Sequence, residues 1–215
     1  MGVLKSEQFL PVIENPDFVL SVGGDGTFLI AERQYPGIPK ILIRESKICK
    51  NCHDLSLHTM LRLIKNKAYT IKEHPKLTAK IGEKRLIATN DIVLRNKLQT
   101  SALRFSLAIN GNILFPELIG DGLVIATPFG SNGYFHSITT KHFQNGIGIA
   151  FNNITKKVLP LFLKEKDTVH IVILRMEGFV SADNNPQMVI VKRKDAIRIN
   201  ILKEKMRLIV FEKKM

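Results

Sequence analysis

A glycine-rich turn with a single carboxylate is the part of this sequence best suited to chemistry. Residues 23–27 read Gly-Gly-Asp-Gly-Thr, directly after an apolar run at 18–22 and before a stretch with helical periodicity. Glycines allow the backbone to approach a ligand closely, and the N-terminus of a helix attracts phosphate. A carboxylate beside bound phosphate is repelled unless it holds a cation or accepts a proton. Asp25 in this turn therefore predicts phosphoryl transfer.

Two later segments also place polar side chains beside apolar runs. Asn90 and Asp91 precede an apolar strand, and a second Gly-Asp-Gly at 120–122 leads into Thr-Pro-Phe-Gly-Ser-Asn-Gly-Tyr, which ends at Tyr134. Each has a purely structural interpretation, since an Asn-Asp pair is typical of a turn, Gly-Asp-Gly of a hairpin, and a tyrosine on an apolar stretch of a core. The turn at 23–27 fits such an interpretation poorly, because an aspartate that caps a helix seldom needs flanking glycines on both sides.

Together, the three segments resemble the signature set of the NAD kinases. The pentapeptide at 23–27 also occurs in phosphofructokinases and in diacylglycerol and sphingoid lipid kinases, whereas Thr-Pro-x-Gly-Ser-x-x-Tyr at 127–134 selects the NAD kinases. The resemblance runs from about residue 17 to residue 199, because 180–183 is similar to the family's late strand and turn. It implies transfer of the terminal phosphoryl group of ATP, or of inorganic polyphosphate, to the 2′-hydroxyl of the adenosine ribose of NAD, with Mg²⁺ or a similar divalent cation.

The same resemblance implies a role for each site residue. Asp25 matches the catalytic aspartate, which accepts the hydroxyl proton or helps to hold Mg²⁺. Asn90 reads an adenine edge, and Asp91 holds ribose hydroxyls. Tyr134 stacks on a base, and Asp121 reaches the nicotinamide side of NAD across a subunit contact, which implies a homodimer or homotetramer. The other members line the phosphates or donate hydrogen bonds nearby: Gly23, Gly24, Gly26, Thr27, Asn132 and Ser137.

The sequence departs from the family pattern in several places. Asp91 stands where the family usually has Glu, so the carboxylate reaches about one methylene less far. Three residues of the tyrosine loop replace a small hydroxyl residue, a threonine and an alanine: Phe129, Asn132 and Gly133. The Gly-x-Leu-Gly-Phe-Leu segment expected after the second strand is not recognisable in 44–53, and the expected Gly-Gly-Pro is only echoed at 146–148.

These departures keep two alternatives to an NAD kinase open. One is a kinase of the same superfamily that phosphorylates a lipid or another nucleoside. The other is a module that binds dinucleotides without turnover, since binding needs less precise placement than chemistry.

Composition favours a chain with its own core and an anionic partner. Its 215 residues are 45% apolar, and 32 Lys and Arg against 19 Asp and Glu give a formal net charge of +13. The basic residues are scattered and aromatics are few, so we expect no binding of nucleic acid. No stretch approaches the about 20 apolar residues of a membrane span, and the first residues lack the pattern of a secretion signal. We therefore expect a cytoplasmic protein without a membrane partner.

Both cysteines lie in a Cys-x-x-Cys-His segment, made by Cys49, Cys52 and His53. This spacing is that of covalent haem attachment, which requires export. The same side chains, with His58 as a fourth ligand, can supply part of a zinc site. Reduced, packed thiols are the simpler interpretation, so we expect no metal site formed by protein side chains alone.

Strand and helix signals alternate over residues 1–75, which is typical of a small α/β domain of Rossmann-like or phosphofructokinase-like type with a parallel sheet. The apolar run at 207–211, within a segment of about 203–215, is expected to return to this sheet. The predicted elements are a strand at 18–22, a helix at 27–34, a strand at 40–44 and a helix at 55–66 capped by Asp54.

Residues 76–202 show short β runs and turns, which predict an antiparallel β-sandwich domain. Hairpins are indicated at 82–84 and at Asn-Gly-Asn 110–112, the latter a strong turn signal. The site is expected at the junction of the two domains. Further strands are predicted at 92–94, 123–126, 169–174, 188–192 and 196–202.

Overall fold

The computed structural model of the protein describes residue 4 and residues 7–44 and 55–211. The chain divides into two compact units, Met1–His74 with Lys205–Met215, and Pro75–Glu204. Cys49, Cys52 and His53 lie outside the described residues, so the haem and zinc interpretations stay predictions. Within the described ranges, no helix is both long and apolar enough to cross a membrane.

The sheet of the first unit is parallel, as the α/β pattern predicts. β1 (Val19–Gly23) pairs in parallel with β2 (Lys40–Arg44) along its whole length, and helix α1 (Asp25–Gln34) connects them. The last strand of the chain also pairs in parallel with β2, through Leu208 and Lys40. The C-terminal apolar run therefore completes this sheet.

A second helix, α2 (Leu57–Lys65), covers the sheet with one apolar face. The helix begins two residues later than predicted, and its N-cap is Ser56 rather than Asp54, because the Ser56 hydroxyl accepts the Thr59 N–H at 3.1 Å. This bond satisfies a backbone donor that has no partner within the helix. The buried apolar cluster of this unit consists of Ile41, Met60, Leu61, Ile64, Ile209 and Phe211.

A buried ion pair fixes α1 against β2. Lys40 is fully buried in β2, and its Nζ donates to the Glu32 carboxylate on α1 and to the Tyr35 carbonyl oxygen. A charge so deeply buried is tolerated only when it is paired. The pair therefore holds in place the helix whose first turn carries Asp25.

The second unit is an antiparallel β-sandwich. One sheet has the strand order β10-β9-β8-β5-β12-β13, and in the other β14, β11, β6 and β7 are neighbours and β3 pairs with β4. In the antiparallel pair of β11 and β14, Val169 lies opposite Ile199 and Val172 lies opposite Ala196. The strands are β3 (Thr70–Ile81), β4 (Lys84–Ala88), β5 (Asp91–Asn96), β6 (Leu103–Ile109), β7 (Asn112–Gly120), β8 (Gly122–Ala126), β9 (Ile147–Asn152), β10 (Leu161–Leu163), β11 (Val169–Arg175), β12 (Gly178–Ala182), β13 (Val189–Val191) and β14 (Ala196–Val210).

Inward-facing side chains of both sheets share one core. Along β6, the buried residues alternate as Leu103, Phe105 and Leu107, the period expected of a sheet with one covered face. Every residue of β8 is buried, because helix α3 (Tyr134–Thr139) covers the outer face of the six-stranded sheet. This second layer contains Val93, Val124, Ala126, Phe135 and Ala150. The predicted fold class, a small α/β domain followed by a β-sandwich, is confirmed.

The glycine turns at 110–111 and 120–122 differ in kind. Asn110 and Gly111 have φ of +52° and +84° and join β6 to β7 as a two-residue hairpin, as predicted. Gly120-Asp121-Gly122 is not a hairpin, because β7 pairs with β6 whereas β8 pairs with β5 and β9 in the other sheet. A Cβ at Gly122 would lie 1.9 Å from the Leu94 carbonyl oxygen, so only glycine fits where the chain changes sheets.

Candidate functional site

The turn at 23–27 links β1 to α1 in the first unit. Gly23 ends the strand with φ +145°, Gly24 is the helix N-cap in an extended conformation, and Asp25 is the first helical residue. A Cβ at Gly23 would lie 2.6 Å from Thr27 Oγ1, which explains the first glycine. The helix begins two residues earlier than predicted, so Asp25 lies inside its first turn.

The position of Asp25 combines a carboxylate with the positive end of a helix. The side chain is half-buried, and its negative charge at the first turn of α1 is stabilised by the helix dipole. Backbone N–H groups in a first helical turn have no acceptor within the helix and are suited to phosphate. One turn therefore offers an anion site and a base or cation ligand within a few residues.

In the second unit, Asn90 and Asp91 lie where β5 begins, and a distant carboxylate holds their backbone. Asp183 Oδ2 accepts the Thr89 N–H at 2.7 Å, while Oδ1 accepts the N–H groups of Asn90 and Asp91 at 2.7 and 3.1 Å. Asp183 follows β12 with φ +50°, and its own N–H donates to the Asp91 carbonyl oxygen at 2.9 Å. The segment is therefore firmly bound rather than a loose turn.

The Thr-Pro-x-Gly motif packs against the other side of this segment. Thr127 Oγ1 donates to the Thr89 carbonyl oxygen at 2.6 Å, and the Thr127 N–H donates to the Asn90 carbonyl oxygen at 2.8 Å. The Gly130 N–H donates to Thr127 Oγ1 at 3.0 Å. A Cβ at Gly130 would lie 2.2 Å from the Asn90 carbonyl oxygen, so glycine is required there. The Asn90-Asp91 segment and the Thr-Pro-x-Gly segment are far apart in sequence, yet they are hydrogen-bonded and packed against each other.

The side chains of Asn90 and Asp91 offer acceptor oxygens that receive no hydrogen bond from the described residues. Asp91 is 8% exposed, and neither of its carboxylate oxygens receives a hydrogen bond from the described part of the chain. Burial, together with the nearby negative charge of Asp183, raises the pKa of Asp91 to about 7. Asn90 Oδ1 is also buried and accepts no hydrogen bond from the described residues. Buried acceptors normally have partners, so this pair is suited to hydroxyl or amino groups of a ligand.

Two further predicted residues, Asp121 and Tyr134, are connected through the end of β9. Asn152 Nδ2 donates to the Tyr134 hydroxyl at 3.2 Å, and Asn153 Nδ2 donates to Asp121 Oδ2 at 3.1 Å. Asn96 Nδ2 makes a longer bond of 3.4 Å to Asp121 Oδ1. The ring of Tyr134 is half-buried against the outer apolar layer. Its stacking on a base and the reach of Asp121 to nicotinamide stay predictions.

The remaining predicted residues of the tyrosine loop are exposed. Asn132 ends a short 3-10 turn at Gly130–Asn132. The Ser137 hydroxyl donates to the Tyr134 carbonyl oxygen at 2.7 Å, a bond within its own helix. Their contacts with a ligand stay predictions.

The predicted site did not include Asp183, and it did not include the hydrogen bonds from Thr127 to the Thr89 and Asn90 carbonyl oxygens. The segment 180–183 resembled the family's late strand and turn, but no local pattern indicated that its carboxylate binds residues 92 to 94 positions earlier. The glycines at 146–148, which resembled a fragment of another motif, have a structural role. A Cβ at Gly148 would lie 2.3 Å from the ring of Phe143.

Known proteins are similar to this chain in sequence and in fold. A curated relative from Sulfurisphaera tokodaii named NAD kinase is 34% identical over 166 residues, which cover 74% of this chain. The chain spans 64% of that relative's length, and 43% of that of a Flavobacterium psychrophilum NAD kinase with 34% identity. No protein-family model matches the chain.

Solved structures of similar fold have low sequence identity to the chain. The crystal structure of yeast NADH kinase complexed with NADH has a TM-score of 0.83 at 18% identity and covers 92% of this chain and 64% of that one. The NAD kinase from Archaeoglobus fulgidus in complex with ATP has a TM-score of 0.81 at 18% identity and covers 99% of this chain and 88% of that one. The curated relatives named NAD kinase support membership of the NAD kinase family, and the solved structures show that this chain shares their fold.

Proposed function

We propose that this protein phosphorylates the 2′-hydroxyl of the adenosine ribose of NAD, giving NADP, with ATP or polyphosphate as the donor. The observation that carries this proposal is the adjacent pair of acceptors on Asn90 and Asp91: Asn90 Oδ1 is buried and accepts no hydrogen bond from the described residues, and Asp91 is 8% exposed. A carboxylate accepts from two ribose hydroxyls, and an amide reads an adenine edge. Adenosine therefore supplies the donors that these side chains require.

The acceptor hydroxyl needs a group that takes its proton, and Asp25 is proposed for this role. The acid stands at the start of α1, where the helix end attracts the phosphates of the donor. Gly23, Gly24, Gly26 and Thr27 line the phosphates. Phosphoryl transfer asks the protein mainly for position and for neutralisation of charge, which the glycine turn supplies.

A divalent cation such as Mg²⁺ fits this donor set only together with the nucleotide. Among the described residues, no three or more His, Cys, Asp or Glu side chains are grouped as a metal site. Magnesium sites commonly use one or two carboxylates and the phosphates of the substrate, so holding the ion is the alternative role of Asp25 to accepting the proton. When bound, the ion neutralises the charge that develops on the transferred group.

The known relatives support this choice of substrates. The structures of similar fold were solved with NADH and with ATP. We extend the proposal to a cytoplasmic homodimer or homotetramer, in which Asp121 contacts the nicotinamide side of NAD bound to a neighbouring subunit. The alternatives, a kinase for a lipid or another nucleoside and a dinucleotide-binding module without turnover, are not favoured by these relatives, which are named NAD kinase or NADH kinase.

A matrix of donors and acceptors tests the proposal. Purified protein is incubated with ATP or polyphosphate, with NAD, NADH, a nucleoside or a diacylglycerol, and with or without Mg²⁺, and NADP and NADPH are quantified. The proposal predicts NADP or NADPH with at least one donor and only in the presence of the cation. Phosphorylation of the lipid or nucleoside alone, or binding of NAD without any product, would overturn it.

A further inference from the structure

The carboxylate of Asp183 holds the backbone of residues 89–91, the proposed adenosine-binding segment. Asp183 accepts the N–H groups of Thr89, Asn90 and Asp91 within 3.1 Å. Hydrogen bonds to a charged acceptor are stronger than neutral ones, and these lie in a largely buried region. The three donors have a single acceptor residue, so the loss of its charge affects all of them at once.

The opposite side of the segment is held independently. Thr127 contacts the carbonyl oxygens of Thr89 and Asn90, and Gly130 lies against the Asn90 backbone. The N–H groups of residues 89–91 thus face Asp183, while the carbonyl groups of Thr89 and Asn90 face Thr127. Because both faces of the backbone are held, the Cα–Cβ bonds from which the Asn90 and Asp91 side chains extend are held as well.

We propose that Asp183 is a positioning residue for dinucleotide binding, which aligns Asn90 and Asp91 with the adenosine half of the ligand. The inference rests on the proposed function for the identity of the ligand. Asp183 makes no contact with adenosine in this proposal and acts only through the backbone at 89–91. Its removal should therefore weaken binding of NAD and leave the donor phosphates unaffected.

Asp183→Asn is the variant of choice. Asparagine has the same shape and tolerates the left-handed φ of this position. Its amide nitrogen, however, is a donor and opposes the backbone N–H groups that the carboxylate accepted. Asp195→Asn is the matched control, because Asp195 is also half-buried and accepts a backbone N–H, from Lys192 at 2.8 Å, within its own turn.

The test measures binding, kinetics and backbone protection in the wild type and both variants. For Asp183→Asn we expect KM and Kd for NAD to rise about 10-fold to 100-fold, the size expected for lost hydrogen bonds to a charged group, with KM for ATP unchanged. Amide hydrogen exchange at 89–91 should accelerate without ligand. If Asp183→Asn fails to fold, Asp183→Glu, which keeps the charge, is measured instead, with a smaller rise of KM for NAD and the same unchanged KM for ATP.

The outcomes separate this inference from the proposed function. Wild-type protein that forms no NADP overturns the proposed function, whereas exchange at 89–91 still reports on the role of Asp183. Wild-type kinase activity together with an Asp183→Asn variant that binds NAD normally overturns the inference alone. An equal loss of affinity in Asp195→Asn, or an equal loss for ATP and NAD, also overturns it, because a general structural defect would explain both.

Discussion

Asp183 and Asp91 are joined by reciprocal hydrogen bonds, since the Asp91 N–H donates to Asp183 Oδ1 at 3.1 Å and the Asp183 N–H donates to the Asp91 carbonyl oxygen at 2.9 Å. The Asp183 charge has opposite effects on the backbone and on the side chain of Asp91. The Asp183 charge fixes the backbone, yet it adds to burial in opposing ionisation of Asp91, whose pKa is raised from 3.8 to about 7. Asp183 therefore both orders the backbone of this segment and favours the protonated form of the Asp91 side chain.

Binding of NAD should depend on pH through Asp91. The ionised carboxylate accepts from two hydroxyls, whereas the protonated form loses one acceptor. Because the pKa of Asp91 is about 7, we expect the affinity for NAD to fall as the pH drops below about 7. Calorimetric titration from pH 5.5 to 8.5 measures this dependence. Asp91→Asn should bind NAD more weakly at high pH and with a flatter profile, and an unchanged profile would contradict this role.

The stability of the protein should fall as the pH rises, whereas the affinity for NAD should increase. The folded state holds the Asp91 proton up to a pH of about 7, while an unfolded chain releases it near 3.8, so stability falls as the pH rises through this window. Asp91→Asn removes the effect, so its stability relative to the wild type should increase from pH 4 to pH 7 by an amount on the order of a few kcal/mol. Urea denaturation at both pH values measures the difference. The exposed Asp17→Asn is the control and should show no such trend.

The close approach of Gly130 to Asn90 predicts that Gly130→Ala is harmful. A Cβ there would lie 2.2 Å from the Asn90 carbonyl oxygen and 2.5 Å from its carbonyl carbon, so the backbone has to move. We expect a loss of about 1–3 kcal/mol in stability and weaker NAD binding, by analogy with overpacked cores. Gly133→Ala is the control, since its nearest neighbour would be 3.3 Å away. Equal behaviour of the two variants would refute the packing argument.

The buried ion pair of the first unit predicts an asymmetric mutational response. Glu32→Gln leaves the Lys40 charge buried with a weaker partner, and we expect a loss of about 3–5 kcal/mol in urea denaturation. Glu32→Gln combined with Lys40→Met should recover much of this loss, because no buried charge remains. Glu73→Gln is the control, as Glu73 pairs with Arg207 at 3.8 Å on the surface and should change stability by less than about 1 kcal/mol. Full additivity of the two substitutions would count against the coupling.

Asp25→Asn should separate chemistry from binding. Loss of a general base typically lowers the rate about 100-fold to 10,000-fold, so NADP formation should fall within this range. Affinity for NAD should stay close to that of the wild type, because Asn90 and Asp91 are proposed to hold the adenosine. Initial rates and calorimetry measure the two quantities, with Asp17→Asn as the control. Undiminished NADP formation would remove Asp25 from the mechanism.

The sequence by itself determined the kinds of elements and the family. Apolar periodicity located β2 at Lys40–Arg44, and Asn110-Gly111 indicated a hairpin, because each signal depends on residues a few positions apart. The glycine turn at 23–27 was also predictable, since the strand, the glycines and the helix follow one another in the sequence. Local patterns failed where a neighbour lies elsewhere in the chain: Gly-Asp-Gly 120–122 has the sequence of a hairpin, yet it joins strands of different sheets.

Only the tertiary structure decided how the proposed adenosine-binding segment is built. Asp183 binds a backbone more than 90 residues away, and Thr127 and Gly130 meet Asn90 from another strand end. Such contacts leave no periodic signal, because they depend on which strands become neighbours when the two sheets pack. The same holds for the raised pKa of Asp91, which arises from burial and from a distant acid. The residue types in the sequence indicated phosphoryl transfer. Long-range packing determined the geometry of Asn90 and Asp91 and the raised pKa of Asp91.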